Sequence, residues 1–341
     1  MRRDYSALPE LVEGVQLELC VRLPGSEALT VEAKIIQAFR PFTMSPVLRV
    51  CISPLPAFAC IPGDAVLKLY DRRYLTNTRK HGANGRPWDS CKEREYRRYL
   101  AAVADGSVVS PNFDEVADDR ELSEGEFEAY LQHLADDMFR AETATYDRLL
   151  PLQGKDIPKC YARVEWRTRL PVAGSSAVTE TIRGVLLEYI PGLSLRNLVQ
   201  TWTKRQPALP RTVLAEICDR AVAVIDRTSN FDVLNEDVRM DNFIVREPFL
   251  RAPPSSLHGS RRYELIDHPV VLLDLAQVIL RASYLTDAEW GLGKLHEDEE
   301  GAVGYILMRL LKKFVGEEVW TYQPSDRWLE FQDDTVDSYR L

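Results

Sequence analysis

The feature that most constrains the fold is a change of pattern at Pro191. Ahead of it, five runs are rich in β-branched and aromatic residues, and several of them alternate apolar with polar positions: Leu29–Ile35, Val47–Ser53, Ala65–Tyr70, Lys159–Leu170 and Val178–Ile190. Between the third and fourth, Phe127, Tyr130, Leu131, Leu134, Met138, Ala141, Thr145 and Leu149 recur at three- and four-residue steps, one face of a long helix with Glu142 at its margin. Beyond Pro191 the pattern is mainly helical. Leu195, Leu198 and Val199 open it, Val213 to Ile225 continue it, and Val303 to Phe314 close it, with one short apolar strand at Val270–Leu273. The order is α+β: five strands and one long helix, then a helical part. At 341 residues the chain is long enough for one large core or two lobes.

The remaining stretches set boundaries. Residues 1–27 are proline-spotted and read as a lead-in, and residues 72–123 read as a polar insertion. The insertion carries a loose G-A-N-G at Gly82–Gly85 and a charged helix at Lys92–Val103. Arg251–Arg262 is a Pro/Ser loop, and the segment after Gly316 is polar apart from Trp320, Trp328 and Phe331.

Composition removes several classes. A net charge of −9 gives no general attraction to nucleic acid or to an anionic membrane surface. No apolar run reaches the ~18 residues that span a bilayer. The six cysteines form no C-x-x-C pair, and no secretory h-region follows Met1, so reduced thiols in an intracellular, cytoplasmic setting are expected. The five histidines show no close ligand pair, and His268 reads as the partner of its neighbour Asp267 in a loop. Oligomeric state has no signal.

Chemistry concentrates in Asp232–Val245, D-V-L-N-E-D-V-R-M-D-N-F-I-V. Asp237 is followed two residues on by Arg239 and five on by Asn242, then by an apolar strand that anchors the loop. This is the spacing of a carboxylate aimed at an incoming hydroxyl beside an amide that can meet a metal on phosphates. Taken alone the pattern also reads as an Asx-rich turn. Lys68 stands inside the apolar run A-V-L-K-L-Y, where a cation is costly unless it lies on an edge or has a partner. Asp274 ends the strand V-V-L-L-D-L-A.

Together, Lys68, Glu142, Asp237, Asn242 and Asp274 fall in the order found in protein kinases, and the chain resembles the protein-kinase-like superfamily. It is similar to the short kinase-like proteins of filamentous fungi through K-L-Y-D-R-R (Lys68–Arg73), R-P-W (Arg86–Trp88), L-Q-G-K-D-I-P (Leu152–Pro158), L-L-E-Y-I-P-G (Leu186–Gly192) and D-E-E-G-A-V-G (Asp298–Gly304). The resemblance implies a bilobal fold: a five-stranded antiparallel N-lobe at 28–190 and a shortened, mostly helical C-lobe at 191–341. It also implies an ATP-dependent, magnesium-assisted transfer of the γ-phosphate to a hydroxyl on a protein or small molecule. Lys68 would bind the α/β-phosphates and be held by Glu142. The backbone of Glu188, Tyr189 and Ile190 would meet adenine. Asp274 and Asn242 would hold Mg2+, Asp237 would serve as base, and Arg239 would stand near the γ-phosphate.

The sequence also departs from that pattern. Phe39–Pro46, F-R-P-F-T-M-S-P, has no glycine where kinases cover the phosphates with backbone amides, leaving Thr43 and Ser45 as side-chain alternatives. Asn235-Glu236 replaces His-Arg before Asp237, and Leu275-Ala276 replaces Phe-Gly after Asp274. These departures keep open a second class of function, a pseudokinase that binds nucleotide or scaffolds a partner without catalysis.

Overall fold

A computed structural model describes residues 10–22, 28–53, 63–81, 87–115, 121–170, 178–204, 210–251, 267–316 and 319–332. The G-A-N-G stretch, most of the Pro/Ser loop after Arg251 and the turn at 171–176 lie outside them. The chain forms two compact units, Met1–Arg140 with Cys160–Tyr189, and Ala141–Lys159 with Ile190–Leu341.

The first unit is built on a closed antiparallel sheet of six strands: β1 (Gln16–Arg22), β2 (Leu29–Ala38), β3 (Val47–Ile52), β4 (Asp64–Tyr70), β5 (Cys160–Leu170) and β6 (Val178–Glu188). Their order is β1-β2-β3-β4-β6-β5, and β1 closes the ring by pairing with both β2 and β5. Five strands were expected, and the sixth comes from the stretch read as a lead-in. Leu17, Leu19 and Val21 alternate inward with Gln16, Glu18, Cys20 and Arg22 outward. Each inward side chain is worth about 2 kcal/mol of burial, enough to make β1 integral to the core. Closure also removes the two edges an open sheet would present. Inside the ring lie, among others, Val31, Leu48, Leu67, Leu69, Val164 and Trp166.

Outside the ring the insertion is helical, with α1 (Thr76–His81) and α2 (Ser90–Ala104), the latter N-capped by Asp89 through the amides of Cys91 and Lys92. The long helix α3 runs over Glu124–Arg148. Its buried stripe differs from the one expected. Glu128, Leu131, Ala135, Met138, Glu142 and Thr145 form a buried row, flanked by buried Gly125, Ala129, Thr143 and Tyr146, so Glu142 sits in the stripe and not at its margin. These positions step by three and four residues, which keeps them on one face.

The second unit holds two small sheets and the remaining helices. β7 (Gly192–Ser194), β9 (Phe243–Arg246) and β10 (Val270–Leu272) form one sheet, and β8 (Val233–Asn235) pairs with β11 (Val278–Leu280) in the other. The helices are α4 (Leu195–Thr201), α5 (Arg211–Ser229), α6 (Glu247–Arg251), α7 (Asp287–Glu297) and α8 (Glu299–Phe314). α7 starts from a complete capping box, Thr286 and Glu289 each satisfying the other's amide.

Within residues 319–332, Tyr322 and Phe331 are packed onto these helices. A Cβ at Gly291 of α7 would overlap the Phe331 ring, and one at Gly304 of α8 would overlap the Tyr322 ring. The two glycines are therefore notches for tail aromatics. No described helix is long and apolar enough to cross a membrane.

Candidate active site

In the second unit, two loops lie side by side between two short ladders. Residues 236–242 join β8 to β9, and residues 273–277 join β10 to β11. β9 pairs with β10, matching Phe243 to Leu272, while β8 pairs with β11, matching Asn235 to Val278. Both ends of both loops are thus clamped. Two further bonds tie them together: Leu273 N–H donates to the Asn242 carbonyl at 2.6 Å, and Glu236 N–H to the Gln277 carbonyl at 3.1 Å. Asp274 adopts a left-handed conformation with φ of 59°, which Asp tolerates better than most residues.

Asp237 is oriented by its own loop. Asn242 Nδ2 donates to the Asp237 carbonyl oxygen at 2.9 Å and to its Oδ2 at 3.2 Å, and Arg239 forms an ion pair with the same carboxylate. The Asp237 side chain is 15% exposed and that of Arg239 54%, so the carboxylate is sheltered while the guanidinium faces solvent. Because the Asn242 amide is held by its NH2 group, its carbonyl oxygen is the end left for a cation. An amide oxygen and a carboxylate such as that of Asp274, on the adjoining loop, are the types of hard donor that suit Mg2+.

The strands beneath these loops are anchored by Asp156, from the L-Q-G-K-D-I-P stretch. Its carboxylate, fully buried, takes two hydrogen bonds from Arg227 at 2.7 Å each and lies 2.8 Å from His268 Nδ1. Its carbonyl accepts from Leu272 N–H at 2.8 Å. His268 therefore faces Asp156 rather than its sequence neighbour Asp267, whose carbonyl accepts from Arg220 at 3.2 Å. The long-range partner wins because it offers a buried carboxylate.

Behind the Asp237 loop lies a polar cluster that sequence reasoning missed. Lys294 Nζ donates to Ser229 Oγ at 2.9 Å and to the Val233 carbonyl at 3.0 Å, and it forms an ion pair with Glu299. Glu299 Oε1 accepts from Asn235 N–H at 2.7 Å, and Asn235 Oδ1 accepts from Asp237 N–H at 2.9 Å. Burial pulls the Lys294 pKa down and pushes the Glu299 pKa up, each opposed by the partner's charge. Glu299 belongs to the quoted D-E-E-G-A-V-G stretch, but only a polar residue at an otherwise helical core position hinted at it.

In the first unit, Lys68 is 5% exposed on β4. That strand lies between β3 and β6, with Lys68 opposite Val47 and Val185, so the edge-strand reading is removed. Ala65, Leu67 and Leu69 point into the ring. Lys68 projects from the outer face, where its ammonium lies 5.6 Å from the Tyr70 ring centroid. Tyr70 in turn meets Phe139 of α3 edge-on. Glu188 closes β6 opposite Ala65, and the Arg49 guanidinium stacks 4.1 Å from the centre of the Tyr189 ring. Ile190 and Glu142 belong to the second unit, and both are buried.

The glycine-free loop after β2 is held down onto α1. Thr76 Oγ1 donates to the Phe42 carbonyl at 3.1 Å, and Asn77 N–H to the Thr43 carbonyl at 3.1 Å. Ser45 Oγ is buried with no hydrogen-bond partner among the described residues.

Two carboxylate clusters of this unit were not foreseen. Arg72 and Arg79, both buried, share Glu128: Arg72 Nη1 reaches Oε2 at 2.8 Å and Arg79 reaches both oxygens at 2.5 and 2.8 Å. Arg72 also bonds Glu93 at 2.5 Å and stacks 4.0 Å from the Tyr96 ring centre. Burial disfavours the Arg72 charge, but Glu93 and Glu180 outweigh it and hold its pKa above the ordinary value. On the surface, His133 Nε2 lies 2.9 Å from Asp114 and 3.0 Å from Asp137, a histidine with two carboxylates that sequence spacing did not suggest. Arg140 covers Asp137 from the other side.

Comparison of the sequence with protein-family models and with curated proteins gives no match. Among solved structures the chain is similar to a WaaP protein in complex with acyl carrier protein, at 12% identity and a TM-score of 0.37, over 83% of this chain and 79% of that one. It is also similar to a rhoptry kinase from Toxoplasma gondii, at 8% identity and a TM-score of 0.38, over 84% of this chain and 59% of that chain, under two thirds of its length. Both TM-scores lie below 0.5, so the functional reading below rests on the chain's own residues.

Proposed function

We propose that the chain is an ATP-dependent phosphotransferase of the protein-kinase-like type, passing the γ-phosphate to a hydroxyl on a protein or small molecule. The observation that carries this reading is the Asp237–Asn242 arrangement. One sheltered carboxylate is held by the amide group of Asn242, and the loop that carries Asp274 is bonded to the Asn242 backbone carbonyl through Leu273 N–H. In the proposed step the acceptor oxygen forms a bond to the γ-phosphorus and the bond to the β-γ bridging oxygen breaks. ADP leaves, and the acceptor proton passes to Asp237.

Asp274 and Asn242 would hold Mg2+, which when bound neutralises phosphate charge. Arg239 is long and exposed enough to turn from Asp237 towards a phosphoryl group. Lys68, Glu142 and the backbone of Glu188, Tyr189 and Ile190 take the nucleotide roles their motifs imply, on residue identity. The narrower likeness to fungal kinase-like proteins likewise rests on motifs alone.

The second reading is a nucleotide-binding or scaffolding pseudokinase. Two observations favour it: the Arg239 guanidinium occupies the carboxylate that would act as base, and the loop after β2 is pinned to α1 without a glycine.

Titration of ATP and ADP with and without magnesium, followed by transfer of labelled γ-phosphate, separates the readings. Asp237→Asn is expected to leave ATP affinity within about twofold, under ~0.5 kcal/mol. It should cut transfer by about 10²-fold or more, the scale of a lost positioned base. Binding without transfer by the native chain selects the pseudokinase, and absence of nucleotide binding rejects the phosphotransferase and any nucleotide-binding role.

A further inference from the structure

The histidine and two carboxylates on the outside of α3 have no part in the phosphotransferase reading. We propose that Asp114, His133 and Asp137 form a binding site for a divalent transition-metal ion of the Zn2+ class, which fastens the end of the insertion to α3.

The frame of the site is built by other groups. His133 and Asp137 stand four residues apart on α3, one turn along the same face, so the helix sets their spacing. Asp114 comes from a single helical turn, Phe113–Glu115. Asn112 Oδ1 accepts from Asp114 N–H at 3.3 Å at the start of that turn. The Phe113 ring seats the turn on α3, its centroid 5.9 Å from that of Tyr130 and 5.7 Å from that of His133. Two donors thus share one helix, and an aromatic anchor delivers the third.

The donor atoms converge. One ligand atom from each of the three residues lies within 4.8 Å of the others. His133 Nε2 is 2.9 Å from Asp114 Oδ1 and 3.0 Å from Asp137 Oδ2. Nε2 carries at most one proton, and one proton serves only one of these two oxygens well. A cation between them serves all three donors at once. Bonds of about 2.0–2.2 Å to nitrogen and oxygen set neighbouring ligands about 3 Å apart in an octahedral shell. The spacings around Nε2 already match that edge. Arg140 takes Asp137 Oδ1 and leaves Oδ2 to face the centre, the kind of outer contact that orients a ligating carboxylate.

Donor chemistry selects the class of ion. Imidazole suits Zn2+ and its first-row neighbours, whereas Mg2+ and Ca2+ take oxygen ligands. Two carboxylates offset the charge of a divalent cation. The side chains of Asp114 and Asp137 are 72% and 40% exposed, so water reaches the remaining coordination positions.

The full-length chain, freed of metal with a chelator, is titrated with Zn2+ by calorimetry, and with Co2+ by visible absorption. One ion per chain should bind. His133→Ala and Asp114→Asn should each weaken Zn2+ binding tenfold or more, and Mg2+ at the same concentration should not displace it. Amide hydrogen exchange across residues 112–115 should slow at least fivefold on addition of Zn2+ to the native chain, and not in the variants.

Absence of one-to-one Zn2+ binding by the native chain overturns the site and leaves the cluster a histidine–carboxylate ion pair. Equal Zn2+ affinity in the native chain and both variants also overturns it, placing the ion elsewhere, such as on the exposed Cys51 or Cys91. Displacement by Mg2+ overturns the assignment of a nitrogen ligand, and exchange indifferent to Zn2+ overturns the fastening of the turn. Should His133→Ala not fold, Asp114→Asn decides alone, because its side chain stands largely in solvent.

Discussion

Each unit buries a cluster of cations and carboxylates, and the two are built differently. In the first, Arg72 and Arg79 saturate both oxygens of Glu128 with guanidinium donors. The contacts join the end of β4, α1 and the first half of α3, and Glu93 adds α2. In the second, Glu299 gives one oxygen to Lys294 and the other to a backbone amide ahead of Asp237. The first cluster is closed on itself and serves architecture. The second is open at one end, and that end is the candidate catalytic loop. Buried charge is therefore not a site signal by itself; what counts is where the last hydrogen bond lands.

The sharpest way to break this contrast is Glu128→Ala. It leaves two buried guanidiniums without their shared anion, which should cost about 3–5 kcal/mol. A urea melt giving less than ~1 kcal/mol would show the first cluster to be dispensable for the fold. Lys68→Met probes the same unit with the opposite expected signature. Nucleotide affinity should fall by about 1.5–3 kcal/mol, roughly one charge-assisted hydrogen bond, while the melt changes little. Equal affinity of the two proteins would strip Lys68 of its role.

For the second unit, Gly304→Ala tests the tail that covers Lys294. Crowding against Tyr322 should cost about 1–3 kcal/mol, partly offset by the ~1 kcal/mol gain in helix propensity. A net stabilisation would mean that the tail is not docked on α8.

The smallest effect is a pH dependence in the first cluster. Burial alone would raise the Glu93 pKa, but Arg72 outweighs it, and the folded value is lowered. A depressed carboxylate pKa contributes stability that is present above the ordinary value of about 4.3 and lost as pH falls through the lower folded value. Glu93→Gln should flatten that acid limb of the stability curve. An unaltered limb would assign the acid sensitivity elsewhere.

Local pattern was enough for much of this molecule. Period-two and period-3.6 spacing located β2 to β6, α3, α5 and α8, because a strand or helix with one buried face writes its period into the chain. The same logic was present in Gln16–Arg22, where Leu17, Leu19 and Val21 alternate; the surrounding proline and charge obscured it. The closeness of Asp237, Arg239 and Asn242 was likewise legible, since a loop motif depends on short spacing.

What the sequence could not decide is which distant group each buried charge meets. Arg72 and Glu128 are 56 residues apart, and Asn235 and Glu299 are 64 apart. Any of many carboxylates could have filled those places. Only the closing of the ring by β1, the seating of α3 and α2 around the end of β4, and the docking of α7, α8 and the tail bring one particular pair within hydrogen-bond reach. The residues at each end were readable because local geometry selects them. Their pairing was not, because the three-dimensional arrangement of whole elements chooses the partner.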